Sequence, residues 1–211
     1  MSRRIEAVLA SLLSIASISP FGEAQATTPS ATWPFIEVDP GSVTAFRERG
    51  GNKPFVAVGM NYFDPETGWA PKLWQQYDES RVRRHLQLIH DQGFNTIRVF
   101  LTLQSFHTEP GTVDAAGLEK FRRFLTLCRE AGLRVIPTGP DHWEGVPTWR
   151  QPDPYADETN LEADEAWWRA FAGAMRDEAT ILAYDLLNEP VIRWDTPAMR
   201  EKWNHWLTKR Y

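Results

Sequence analysis

The sequence predicts an α/β fold, a (β/α)8 TIM barrel reduced to about its first four βα units and preceded by an N-terminal β-hairpin. Apolar runs of strand length alternate strictly with segments of helical period from residue 55 onward, and such alternation produces parallel βαβ units. The turn after the first predicted strand, residues 61–65, lacks the glycine-rich sequence of a dinucleotide-binding sheet. Polar side chains gather at the carboxyl end of every predicted strand, where barrel enzymes build their active sites.

The start of the chain has the pattern of a secretory signal peptide. Arg3 and Arg4 precede an apolar run, and Ala24-Gln25-Ala26 offers the small residues of a cleavage site. The apolar run is too short to cross a bilayer, so we expect no membrane partner. We therefore predict a secreted or periplasmic protein with a signal peptide over residues 1–26, a linker over 27–32 and a partial barrel domain over 33–211.

A β-hairpin opens the predicted domain. Residues 35–38 and 43–46 have the composition of strands, and the turn signal Asp39-Pro40-Gly41-Ser42 lies between them. Gly50-Gly51-Asn52 then leads into the first barrel strand. We expect the hairpin to close one end of the fold.

Four strands and four helices follow the hairpin. Asp114 is a candidate N-cap, and Gly93 and Gly132 are each expected to end a helix. The predicted strands cover residues 55–62, 96–101, 133–137 and 181–187. The predicted helices cover residues 79–91, the segment between Asp114 and Gly132, residues 161–177, and a last helix that opens at Thr196-Pro197.

Composition excludes several functional classes. The net charge of -5, without a run of lysines or arginines, argues against a nucleic-acid partner. The histidines form no H-x-x-x-H pair, so neither a metal nor another cofactor is predicted. Most of the ten tryptophans are expected to pack in the core, which leaves one or two to stack against sugar rings. The single cysteine, Cys128, lies on an apolar helix face and is expected to be buried.

The sharpest chemical signal is Asn188-Glu189-Pro190, at the end of the fourth predicted strand. A carboxyl group held there among aromatic side chains would be partly desolvated, which favours its neutral form and suits a proton donor to a glycosidic oxygen. Asn188 would hydrogen-bond a sugar hydroxyl beside it. Taken alone, the three residues fit a simple strand terminator better than a catalytic motif.

Two further motifs accompany it, Gly93-Phe94-Asn95-Thr96-Ile97-Arg98-Val99 and Asp141-His142-Trp143. Together the three motifs resemble the clan A glycoside hydrolases, most closely family 5, which contains cellulases and mannanases. They occur in the family's order and at the spacing of βα units. The resemblance implies a glycosidase that cleaves O-glycosidic bonds of a β-linked polysaccharide or oligosaccharide. Its partner would be this carbohydrate, and it would need no cofactor.

The resemblance also implies roles for individual residues. Glu189 matches the catalytic acid/base, and Asn188 matches the asparagine that contacts the sugar 2-hydroxyl. Arg98 matches an arginine near the nucleophile, where a guanidinium would keep a neighbouring carboxylate ionised. Other residues expected to help bind substrate are His142, which matches a histidine lining the sugar subsite, together with Asp141, Trp143 and Asn61.

The family's retaining mechanism needs a second glutamate at the end of the seventh strand, about 5–5.5 Å from the first. The predicted strands stop short of that position, so we expect the nucleophile to be missing from this chain. Glu109 and Glu144, in the loops after the second and third strands, are the alternative nucleophiles. Glu201 lies on the last predicted helix, where it cannot face the same pocket.

A barrel of four units would leave two open strand edges and an uncovered apolar interior. We therefore expect a piece of a larger enzyme, or self-association through the open edges, including a dimer that completes a ring. The alternative from another functional class is a secreted, non-catalytic carbohydrate-binding half barrel. The glycan and its linkage stay open at this stage.

Overall fold

The computed structural model describes residues 33–42, 44–67, 72–153, 157–189 and 197–210. The predicted signal peptide and linker lie outside the described residues, as do Pro190 and Thr196. All described residues belong to one unit, Trp33–Tyr211.

The first described residues form a three-stranded antiparallel sheet instead of a two-stranded hairpin. Its strands are, in order, β1 (Ile36–Val38), β2 (Phe46–Glu48) and β3 (Pro54–Phe55). The predicted hairpin between β1 and β2 is confirmed, and Glu37 and Arg47, paired across it, form an ion pair at 2.9 Å. Gly50, at φ 81°, allows the additional turn that brings β3 back against β2.

A second sheet, of parallel strands, carries the barrel units. Its strands lie in the order β4 (Gly59–Tyr62), β5 (Thr96–Thr102) and β6 (Arg134–Asp141). Residues 181–185 run parallel to β6 as a less regular fourth strand, with bridges at Val135–Ile181 and Thr138–Asp185. The predicted parallel βαβ arrangement is confirmed. Within the described residues these strands do not close into a barrel.

Helices alternate with the strands. They are α1 (Lys72–Gln75), α2 (Glu79–Asp91), α3 (Leu103–Phe106), α4 (Ala115–Glu130), α5 (Glu158–Ala174) and α6 (Pro197–Arg210). Asp78, Asp114 and Asp157 are N-caps whose carboxylates accept backbone N–H groups of the first turn. The predicted cap at Asp114 is therefore confirmed, and α5 begins earlier than predicted because Asp157 caps it. In the described part of the chain, no helix has the length and hydropathy of a membrane span.

The first barrel strand is shorter than the sequence predicts. Phe55 belongs to β3, and β4 begins only at Gly59. Between these strands, the side chain of Asn95 forms the hydrogen bonds that a neighbouring strand would otherwise form. Its Oδ1 accepts the N–H of Val58, and its Nδ2 donates to the carbonyl of Val56, both at 2.8 Å. The amide thereby satisfies backbone groups that leave the regular ladder.

The core lies between the parallel sheet and helices α2, α4 and α5. Aromatic side chains dominate it, among them the fully buried Trp74 and Trp167. Each donates its indole N–H to a backbone carbonyl at 2.7 Å, Trp74 to Phe100 and Trp167 to Phe106, so burial leaves neither N–H unsatisfied. Cys128 is buried as predicted, and this burial raises the pKa of its thiol. It packs as a small apolar side chain.

Candidate active site

The register of the parallel sheet places a set of side chains on one face. Asn61 pairs with Arg98, Phe100 pairs with Thr138, and Thr138 bridges Asp185. Directly paired residues share a face of a sheet, and so do residues two apart on a strand. The alternate residues of β5 are buried in the helix-covered core. We call the surface that carries these five side chains the inner face.

Arg98 is the centre of the polar contacts on the inner face. Its Nε and Nη2 donate to one oxygen of Asp185, Oδ2, at 2.9 and 2.6 Å. Nη2 also donates to Oδ1 of Asn188 at 3.0 Å, and Nη1 donates to Oδ1 of Asn61 at 3.4 Å. The guanidinium carbon lies 4.6 Å from the centre of the Phe100 ring, within cation–π range. The structure thus brings together Arg98, Asn61 and Asn188, three of the residues predicted from sequence.

Asp185 is a site residue that the sequence analysis did not single out. Its Oδ2 accepts the hydroxyl of Thr138 at 3.0 Å in addition to the two N–H groups of Arg98. A carboxylate with three donors is well satisfied although its side chain is only 33% exposed. The one signal in the sequence was a lone acidic residue within the apolar run of residues 181–187. Such a residue needs a partner on the same face.

Asn188 lies between two charged groups. Its Oδ1 accepts from Arg98, and its side chain also hydrogen-bonds the carboxylate of Asp141. Asp141 ends β6, four residues beyond the predicted end of that strand, and is only 5% exposed. Burial raises the pKa of Asp141, while His142, the backbone N–H groups nearby and the Asn188 amide act in the opposite direction. The partly desolvated carboxyl at these strand ends is therefore that of Asp141.

Glu189 follows Asn188 with an unusual backbone conformation. Its φ is 41°, in the left-handed region that residues with a Cβ seldom occupy. Strained backbone of this kind clusters at functional sites, where the surrounding structure holds it in place. The side chain is exposed. The expectation that aromatic side chains desolvate Glu189 is therefore wrong within the described residues.

The other predicted substrate-binding residues follow β6. His142 is exposed, at 71% of its side chain, and its Nδ1 lies 3.6 Å from Oδ1 of Asp141. The backbone N–H of Trp143 donates to the same Oδ1 at 3.2 Å. The indole ring of Trp143 lies 5.9 Å from the ring of Phe100 on the inner face. Trp143 is thus close to the Arg98 contacts, whereas His142 points into solvent.

The two alternative nucleophiles occupy different environments. Glu109 is exposed in the loop after α3. Oε2 of Glu144 accepts the hydroxyl of Ser105 at 2.7 Å and that of Thr102 at 2.5 Å. These contacts favour Glu144 as an anchor between the loop after β6 and the junction of β5 with α3. Glu201 is exposed on α6.

The inner face is suited to binding hydroxyl groups. Asn61, Asn188 and Arg98 offer donors and acceptors on one surface, and Glu189 follows Asn188 in the chain. Across the described ranges, no cluster of three or more histidine, cysteine, aspartate or glutamate side chains is arranged to hold a metal ion.

A family model described as cellulase, glycosyl hydrolase family 5, matches residues 51–209. Among solved structures, the exo-beta-1,4-mannosidase Op5Man5 from Opitutaceae bacterium strain TAV5 is 29% identical, with a TM-score of 0.67. The match covers 82% of this chain and 32% of that one. No match was found among the curated proteins.

Two GH5_18 enzymes share the fold. One, from Streptomyces cattleya in complex with Manb1-4GlcNAc, is 22% identical, with a TM-score of 0.56 over 72% of this chain and 40% of that one. The other, from Bifidobacterium longum subsp. infantis, is 16% identical, with a TM-score of 0.56 over 72% of this chain and 39% of that one. This chain therefore spans between 32% and 40% of the length of the three solved structures. Because the family model accounts for most of its residues, the chain belongs to glycosyl hydrolase family 5, a family of glycosidases.

Proposed function

We propose that this chain contributes the acid/base half of a retaining β-glycosidase, with Glu189 as the proton donor. The observation that carries the proposal is the meeting of Arg98, Asn61 and Asn188 on the inner face. Asn188 directly precedes Glu189 in the chain. Active sites of this fold are built at the carboxyl ends of the strands. The amide of Asn188 offers hydrogen bonds to a sugar hydroxyl, and Glu189 supplies the proton.

The reaction proceeds in two displacements. Glu189 first donates its proton to the glycosidic oxygen as the bond from that oxygen to the anomeric carbon breaks. A second carboxylate attacks the anomeric carbon from the opposite face and forms a glycosyl ester. The ionised Glu189 then takes a proton from water, which attacks the anomeric carbon and releases the second carboxylate.

The second carboxylate must lie about 5–5.5 Å from that of Glu189 for net retention. Glu144 is engaged with Thr102 and Ser105, and Glu109 is exposed. We therefore assign the nucleophile to polypeptide outside the described residues. The solved relatives are longer than this chain, which supports such a division of the site.

The proposed substrate class is a β-1,4-linked mannoside. Its support is the likeness to the mannosidase Op5Man5 at 29% identity and to a GH5_18 enzyme solved with Manb1-4GlcNAc. The partly buried Phe100 and Trp143 rings, 5.9 Å apart beside Arg98, offer apolar surface for the C–H faces of a sugar.

The test is a cleavage assay on β-1,4-mannobiose and soluble β-glucan with azide added as an external nucleophile in place of the second carboxylate, and it compares the expressed chain with Glu189→Gln. Azide attacks the anomeric carbon while Glu189 protonates the leaving oxygen, so formation of α-mannosyl azide that the substitution abolishes supports the proposal. Azide product that survives the substitution contradicts the assignment of Glu189. Glycan binding without cleavage in either protein supports the carbohydrate-binding alternative.

We also propose that the chain is exported, on the signal-like pattern of residues 1–26, and that it self-associates through the edge of its parallel sheet. Val56, Val58 and Met60 lie along or just before β4 with exposed side chains. Exposed apolar side chains beside a strand edge favour pairing with another chain.

A further inference from the structure

The side-chain amide of Asn188 is held from both sides. Arg98 donates to Oδ1 of Asn188, and the amide nitrogen of Asn188 donates to the carboxylate of Asp141. An asparagine amide has two N–H donors and two acceptor lone pairs. These contacts use one of each and leave one N–H and one lone pair for a sugar hydroxyl. The orientation of the amide therefore depends on where Arg98 lies.

The position of Arg98 depends in turn on Asp185. Two guanidinium nitrogens, Nε and Nη2, converge on Oδ2 of Asp185, and the hydroxyl of Thr138 holds the same oxygen from β6. Nη2 is the nitrogen that reaches Asn188. A guanidinium is planar and rigid, so fixing two of its nitrogens sets the direction of the rest.

The geometry assigns Asp185 as a positioning residue that sets the orientation of Asn188 through Arg98 and thereby shapes the sugar-binding end of the site. The assignment rests on the proposed function, because it gives Asn188 a sugar to bind. Asp185 lies four residues before Glu189 on the inner face, whereas Glu189 is exposed beyond the last bridge of the segment. Asp185 therefore acts on substrate through other residues.

Loss of Asp185 would have different effects if it only formed a structural ion pair and if it positioned Arg98. If Asp185 only stabilised the sheet, its loss would lower the melting temperature and leave the Asn188 amide unchanged. If it sets the direction of Arg98, its loss moves the Asn188 amide even in protein that remains folded. Asp185→Asn is the sharpest change, since it preserves the shape of the side chain and removes the charge. Asp91→Asn is the matched control, because Asp91 is exposed at the end of α2 and accepts from Gln87 on the same helix.

The first measurement is the side-chain amide pair of Asn188 in ¹⁵N-labelled full chain by NMR, identified by its absence in Asn188→Ser. In Asp185→Asn we expect this pair to shift and its hydrogens to exchange with solvent about tenfold faster, as when one hydrogen bond is lost. Asp91→Asn should leave it in place. An unchanged Asn188 pair in folded Asp185→Asn overturns the assignment. If that variant does not fold, Thr138→Val replaces it, with a smaller shift expected and an unchanged pair again overturning the assignment.

The second measurement is cleavage of β-1,4-mannobiose with azide as the external nucleophile. Misplacing a positioned group costs about 100-fold in rate, so Asp185→Asn should lower kcat for azide product formation by about that factor while KM changes far less. An unchanged kcat contradicts the assignment. Failure of the proposed function looks different, because the wild-type chain would then neither bind nor cleave mannobiose. The NMR measurement would still decide the position of Asn188.

Discussion

Arg98 and Asp185 meet through a single carboxylate oxygen, which accepts both Nε and Nη2 of the guanidinium at 2.9 and 2.6 Å. The two residues are 87 positions apart in the sequence and lie on β5 and on the segment beside β6. This contact therefore ties together strands that are not neighbours in the sheet. It also leaves the remaining guanidinium N–H groups to the asparagines at the strand ends.

We expect Arg98→Lys to destabilise the chain by about 1–2 kcal/mol, because an ammonium on a flexible stem cannot maintain contacts with Asp185, Asn188 and Asn61 at once. The matched control is Arg123→Lys. Arg123 makes a two-pronged contact with Glu79 on the surface, and such pairs contribute at most about 1 kcal/mol. Urea unfolding followed by tryptophan fluorescence gives both values. Equal effects would show that Arg98 makes only an ordinary surface pair.

Glu189→Asn should be more stable than Glu189→Gln, by roughly 1 kcal/mol, because asparagine tolerates the left-handed region better than residues with longer side chains. Both substitutions remove the carboxyl group, so their difference isolates the backbone conformation. Differential scanning calorimetry measures it. Two identical melting curves would mean that the backbone at position 189 relaxes at no cost.

Stability should fall as the pH is lowered below about 6.5 because of His107. The ring is fully buried beside Arg150 and Asp164, and its Nε2 accepts the N–H of Gly111. Burial, and secondarily the charge of Arg150, lower the pKa of His107 to about 3. Between pH 6.5 and 3 the unfolded chain binds a proton that the folded chain excludes. The contribution is therefore fully present above the ordinary histidine value and is lost toward pH 3.

The loss from this one group amounts to at most about 1.4 kcal/mol per pH unit. Other groups also titrate in this range, so the measurement is the difference between wild type and His107→Gln in urea midpoints at several pH values. The substitution should flatten the dependence on pH. His90→Gln is the control, because His90 is exposed on α2. An equally steep dependence in His107→Gln would assign the acid sensitivity to other groups.

Expression in an exporting bacterial host should yield a protein that begins at Thr27, since the signal-like segment ends at Ala26. Intact-mass spectrometry of the periplasmic or culture fraction identifies the new terminus. Leu12→Arg, which interrupts the apolar run, should leave the precursor uncleaved inside the cell. Export of both proteins at the same level would argue against a signal peptide.

The purified chain should form dimers or larger species in light scattering, and Val56→Asp should reduce them. Val56 is 72% exposed, three residues before the edge strand β4. Leu88→Asp serves as the control, because Leu88 is 60% exposed on α2. A monomeric wild-type chain, or equal effects of the two substitutions, would contradict association through β4.

Local signals predicted the regular elements well. Helix α2 has the predicted bounds, residues 79–91, and α4 begins at the cap that Asp114 supplies. The fourth strand was harder, because an apolar run indicates burial but not how much of a ladder forms. Only two bridges to β6 are present among residues 181–185. The pairing of this fourth strand depends on tertiary contacts, which its apolar sequence does not reveal.

The candidate site was predicted in part. Arg98, Asn188 and Asn61 meet, but the carboxylate that Arg98 holds is Asp185, on a strand that the sequence analysis treated as apolar. Similarly, the sequence left open which one or two tryptophans would contact sugar. Trp74 is fully buried in the core, whereas Trp143 lies beside Phe100 on the inner face. Which tryptophan faces the site follows from helix packing and strand register, and neither is visible from a residue's identity alone.

The side-chain amide of Asn95 forms hydrogen bonds to the main chain that backbone groups of a neighbouring strand usually form. It accepts from Val58 and donates to Val56, residues that lie 37 and 39 positions earlier in the chain. These contacts use only the main chain of residues 56 and 58 and are indifferent to their side chains. A library that randomises those two positions should therefore yield many folded variants, whereas one that randomises position 95 should yield few. Tolerance to substitution just before this barrel strand is therefore decided by a residue that lies 37 to 39 positions further along the chain.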